Sequence, residues 1–115
     1  MLAIERLPGP FGAEVTGLDL NQEIGAATFD DIVDALHAHA ILCIRGQNDL
    51  KPENHVAFGR RFGELEVHVQ SSFNLDGHPE IYCITNCVDE NGKPMGLAEA
   101  GRVWHTDLSL SLIHI

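Results

Sequence analysis

Two residues near the C-terminal end have the types and spacing to do chemistry. His105 and Asp107 stand one residue apart in Gly101-Arg102-Val103-Trp104-His105-Thr106-Asp107-Leu108-Ser109. In an extended chain, residues i and i+2 point to one face, so this imidazole and carboxylate can reach one metal ion together. Two histidines and one carboxylate on a face of an octahedron form the facial triad of non-haem iron(II) oxygenases, which leaves three positions for co-substrate and oxygen. H-x-D is weak evidence taken alone, because the same pattern arises in ordinary solvated loops. A third ligand is needed, and His114 is the only histidine downstream. No turn signal between Asp107 and His114 brings it back toward the pair.

Elements are needed to position these residues. Residues 2–7 read as a short strand stopped by Pro8-Gly9-Pro10, and Ala13 to Leu20 as a second strand. Thr28 to Ala40 reads as a helix capped by Thr28, with Asp31 three residues on and Ile32, Val33, Leu36 and Ala40 on its apolar side. Ile41-Leu42-Cys43-Ile44 is an apolar run, expected as a buried strand. A second helix is expected from Pro52, suited to a first helical turn, to about Phe62, with Gly63 as its stop. Ile81 to Asn86 and the segment around Val103-Trp104-His105 complete the strands, separated by the turn Asp89-Glu90-Asn91-Gly92-Lys93-Pro94. Val15, Ile32, Val33, Leu36, Ile41, Leu42, Ile44, Phe58 and Phe62 are the expected core. This order gives an α+β fold and lacks the regular alternation of a doubly wound sheet.

Composition removes several classes of function. The 115 residues carry a net charge of −10, from 17 acidic and 7 basic side chains. Nucleic-acid and anionic-membrane surfaces need clustered Lys and Arg, so neither partner is expected. No Gly-rich phosphate loop follows a strand. The N-terminus lacks the basic start and long apolar stretch of a signal peptide, which makes the cytoplasm the expected location. Cys83 and Cys87 are four apart but have no second Cys or His pair spaced to build a zinc site with them, and Cys43 lies in an apolar run.

Four stretches, in order, resemble the taurine/2-oxoglutarate dioxygenase (TauD/TfdA-like) family. They are Gly12-Ala13-Glu14-Val15-Thr16-Gly17-Leu18-Asp19-Leu20, Ala35 to Gln47, Phe58 to His68, and the Trp104-His105-Thr106-Asp107 segment with its neighbours. The resemblance implies a double-stranded β-helix, or jelly roll, with added helices. It implies iron(II) held by His105, Asp107 and a distal histidine. It further implies 2-oxoglutarate as co-substrate, its far carboxylate paired with an arginine, and oxidative hydroxylation of a small organic substrate by O2. His68 matches a position that contacts the substrate in the taurine enzyme, and Trp104 is expected to pack beside the metal. Gly101 stands where the taurine enzyme has Asn, and the aromatic after His68 is missing; both departures argue against taurine itself.

A jelly roll needs about eight strands, and this chain offers fewer, with no distal histidine or arginine in family context. Residues 1–109 are therefore expected to be the N-terminal portion of a dioxygenase domain, its barrel incomplete and the fragment inactive alone. A homo-oligomer of the complete protein stays open. Residues 110–115 resemble the translation of a common transposon-based sequencing adapter and are expected to be a non-native tail. Two other readings stand beside this one: a small metal-binding protein using His105, Asp107 and His114, and a non-catalytic acidic α+β module.

Overall fold

A computed structural model of the chain describes residues 1–105. They fall into two compact units, Met1–Leu65 and a second that begins at Glu66. Asp107 and His114 lie outside the described residues, as does the expected tail.

The first unit is built on a three-stranded sheet. β1 (Ala3–Arg6) pairs antiparallel with β2 (Ala13–Thr16), from Ala3 opposite Thr16 to Arg6 opposite Ala13. The Leu7 amide donates to the Gly12 carbonyl at 3.0 Å and closes the hairpin whose loop holds both prolines. α1 (Ala26–His39) then carries the chain across, and β3 (Leu42–Ile44) pairs parallel with β2. A parallel neighbour requires such a crossover, because a tight turn can only reverse the chain. Strand alternation sends Ala13 and Val15 inward, each fully buried. Ile32 and Ala35 of α1, Leu20, and Val56 of α2 (Pro52–Arg60) join them in the core. Gln47 ties the two strand exits together. Its Nε2 donates to the carbonyls of Leu18 (2.6 Å) and Arg45 (2.8 Å), and its Oε1 accepts from the Leu20 amide at 3.0 Å. Asn21 does the same for the start of α2, accepting at Oδ1 from the Lys51 amide and from Asn54 Nδ2, both at 3.0 Å. At the sheet surface Arg45 donates to Glu14 at 2.8 Å, and this hydrogen bond holds the guanidinium above its ordinary pKa.

Several boundaries differ from the sequence reading. α1 starts two residues early, with Gly25 at its N-cap and no side-chain cap, so Thr28 lies inside the first turn. Ala26 and Ala27 are strong helix formers and draw the start upstream. α1 ends at His39 because Ala40 turns to φ +67° while its amide still donates to the Leu36 carbonyl at 2.8 Å. Ile41 follows that reversal and is 54% exposed instead of buried. Its carbonyl is used, accepting from the Ala13 amide at 2.9 Å. α2 stops at Arg60, and Phe62 beyond it is 47% exposed. The Phe62 ring still packs edge-on against Phe29 (4.9 Å) and Phe58 (5.3 Å). Val15 and Ile32 are buried as expected; Val33, Leu36, Leu42, Ile44 and Phe58 are half-buried.

The left-handed Ala40 gives a stability prediction. Glycine adopts that conformation without a Cβ penalty. Ala40→Gly is expected to stabilise the first unit by about 1 kcal/mol or less, the left-handed penalty of a residue with a Cβ being partly offset by glycine's freedom in the unfolded chain, measured as a raised denaturant midpoint with unchanged slope. An unchanged or lowered midpoint would show that Ala40 is unstrained.

The second unit pairs β4 (Asn74–Leu75) with β5 (His78–Tyr82), antiparallel, after a single 3-10 turn at Ser71–Phe73. The strand expected at 81–86 thus lies upstream, and its partner was not anticipated. The signal was present: Asp76-Gly77 is a two-residue hairpin turn, and Gly77 takes φ +78°. Between Glu66 and His105, Gly96 is the only buried residue among those described. A Cβ there would come within 2.7 Å of the Cys83 carbonyl, which suits glycine where residues 95–97 fold back on 83–87. Among the described residues no helix is long and apolar enough to cross a membrane. Among the described residues, five strands and two α-helices make an α+β arrangement.

Candidate metal centre and its surroundings

The segment expected to be the last strand is not one. Glu99 and Arg102 form an exposed ion pair at 2.6 Å, Gly101 turns at φ +73°, and Val103 and Trp104 continue as bends. His105 Nδ1 lies 2.7 Å from the Val103 carbonyl oxygen, a contact that closes on itself over two residues. A carbonyl only accepts, so this contact needs a proton on Nδ1, and the neutral ring then carries its lone pair on Nε2. That is how a metal-binding histidine is commonly oriented: one ring nitrogen donates to the backbone while the other ligates. Trp104 departs from expectation, being fully exposed at 103% where packing beside a metal was foreseen. Its neighbours Val103 and His105 are exposed too. Among the described residues no three His, Cys, Asp or Glu side chains are grouped to hold a metal. The three cysteines are free thiols.

His68 sits better than an ordinary polar loop residue. Glu66, Val67, Val69 and Gln70 are all exposed, while His68 is half-buried. Its ring stacks on Tyr82 of β5 at 4.2 Å and 27°. Phe73 packs edge-on to the other ring of this pair, 6.3 Å from Tyr82. The Gln70 amide donates to His68 Nδ1 at 3.1 Å. His37 and His55 are exposed and His39 and His78 half-buried. The sequence reading missed Tyr82 as a neighbour of His68. A single His and a single Tyr fourteen positions apart carry no periodic signal.

The Tyr82 hydroxyl and Asn74 Oδ1 are buried without a hydrogen-bond partner. An unsatisfied buried polar group costs about 1–3 kcal/mol. Tyr82→Phe keeps the ring and removes the orphaned hydroxyl, so it is expected to raise stability by about 1 kcal/mol. Thermal denaturation of the two chains checks this, and a destabilised variant would reveal a partner for the hydroxyl.

Known proteins share this chain's pattern. Pentalenolactone F synthase of Streptomyces avermitilis is 36% identical over 108 residues, 92% of this chain and 35% of that protein. An alpha-ketoglutarate-dependent sulfonate dioxygenase of Saccharomyces cerevisiae is 26% identical over 96% of this chain and 27% of its own length. Among solved structures, a taurine dioxygenase from Burkholderia xenovorans matches with TM-score 0.62 and 32% identity, covering 68% of this chain and 28% of that one. AAD-2 in complex with Mn(II) and N-oxalylglycine matches with TM-score 0.55 and 29% identity, over 65% of this chain and 27% of its own. The chain spans about a third of the length of the pentalenolactone F synthases it matches. Residues 3–114 match the family described as "Taurine catabolism dioxygenase TauD, TfdA family", and the chain belongs to that family.

Proposed function

We propose that this chain is the N-terminal part of an iron(II)- and 2-oxoglutarate-dependent dioxygenase with a jelly-roll core, acting by oxidative hydroxylation of a small organic substrate. The observation that carries the reading is the family match over residues 3–114, which includes both His105 and Asp107. The donor set fits the metal: an imidazole and a carboxylate suit iron(II), and the Val103 carbonyl leaves the His105 lone pair on Nε2. His105 and Asp107 would hold the iron, which when bound supplies the activation of O2 that no side chain provides. His105 is oriented by its bond to Val103, so the ring need not be frozen at the moment of binding. His68 would face the substrate and offer Nε2–H to it as a donor, because Nδ1 already accepts from the Gln70 amide. Substrate and O2 are the partners. The named relatives include a synthase of pentalenolactone F, an alkylsulfatase and a sulfonate dioxygenase, so the reading commits to a reaction type and not to one substrate.

The test is succinate formation from 2-oxoglutarate, with iron(II) and O2, by the complete protein and by this chain. The complete protein is expected to form succinate and to lose it in His105→Ala. This chain is expected to form none, since two protein ligands hold iron loosely and the remainder of the family's site is not among them. Succinate formed by His105→Ala at the wild-type rate would overturn the reading.

A further inference from the structure

Tyr82 stacks on the His68 imidazole, and both residues lie in the second unit. The chain from Arg61 to Gln70 has no regular structure, and nearly every side chain in it is exposed. An imidazole in such a stretch would ordinarily sample several rotamers and both neutral tautomers. Two contacts remove that freedom. The Gln70 amide is a donor only, so His68 Nδ1 carries the lone pair and Nε2 the proton. The Tyr82 ring lies against one face of the imidazole at 4.2 Å, and Phe73 braces Tyr82 edge-on. Tyr82 is itself fixed, because β5 pairs with β4 opposite Asn74, and the Cys83 amide donates to the Phe73 carbonyl at 2.8 Å. The hairpin is therefore a rigid backing, and the loop histidine leans on it.

We infer that Tyr82 is a positioning residue: its ring holds the His68 imidazole in the one orientation that bonds Gln70 and presents Nε2–H as a hydrogen-bond donor. The inference rests on the proposed function only for what that donor faces. The hydroxyl has no share in the task, since it is buried without a partner. Aromatic area is what matters, so phenylalanine serves and an aliphatic side chain does not.

The experiment is long-range nitrogen–proton NMR of the histidine side chains in this 115-residue chain, with His68→Ala to assign the resonance. In the unmodified chain His68 is expected to show a single Nε2–H tautomer, with ring protons displaced upfield of those of exposed His37 and His55 by the Tyr82 ring current. Tyr82→Phe is expected to keep both signatures. Tyr82→Leu is expected to lose the upfield displacement and to show mixed tautomers, while amide resonances of β1 to β3 stay in place. A His68 spectrum in the unmodified chain like that of His37 overturns the inference, even if Tyr82→Leu fails to fold. So does a Tyr82→Leu spectrum that keeps the single tautomer. No ligand enters the measurement, so its failure is distinct from failure of the proposed activity. A lock that stands while the complete protein forms no succinate would count against the activity alone.

Discussion

Replacing His105 by Ala in the complete protein is expected to abolish iron(II) binding and, with it, turnover. Disturbing only the outer partner of a metal ligand typically costs about 10–100-fold in affinity or activity. Removing the ligand itself leaves a carboxylate and at most one further histidine, so the loss should exceed that range. The measurement is titration with cobalt(II) as a spectroscopic stand-in, which reports ligand loss without needing the substrate. Asp107→Ala should behave alike. His114→Ala should leave metal affinity unchanged, which separates this reading from the small metal-binding protein that uses all three residues. A His105→Ala variant that binds cobalt as tightly as the parent would remove the residue from the site.

The second large effect concerns the core. Ile32 is 1% exposed and, with Val15, is one of the two largest fully buried side chains among the described residues. Ile32→Ala deletes three carbons from a site walled by the helix that makes the β2-to-β3 crossover possible. Large-to-small changes of this kind cost about 2–5 kcal/mol, a large fraction of the stability of any domain this size. Urea denaturation followed by far-ultraviolet circular dichroism checks it. A loss below 1 kcal/mol, on the scale of a surface substitution, would mean the helix does not depend on that contact.

The first unit was legible because its signals are periodic. Alternation placed Val15 inward, and the helical spacing of Ile32 found the buried side of α1. Boundaries failed where one residue's backbone decided the matter. Ala40 at φ +67° ends the helix and exposes Ile41, and nothing in an Ala-Ile pair announces a left-handed turn. The Gln47 and Asn21 clamps were invisible for a related reason: each joins segments roughly thirty residues apart through polar atoms, with no repeat to betray it. In the second unit the Asp76-Gly77 turn could have revealed β4 and was passed over. Among the candidate site residues, His105 was proposed from its spacing to Asp107, whereas the exposure of Trp104 differs from the packing that the family likeness implied. His68 was proposed by likeness alone, and its stacking partner Tyr82 was anticipated by neither route.

The exposed stretch from Arg61 to Glu64, followed by Glu66 and Val67, has a consequence for handling the protein. It joins two units that each close their own backbone hydrogen bonds, and Glu64 and Glu66 flank their boundary at Leu65. A protease specific for glutamate, used sparingly, should therefore nick here first, because cleavage needs an extended, accessible backbone and costs neither unit its internal bonds. The released halves should differ in how long they survive. Residues 1–65 keep the buried Ala13, Val15, Leu20, Ile32, Ala35 and Val56, and should resist digestion. The portion after Glu66 has only Gly96 buried among its described residues, and should be consumed.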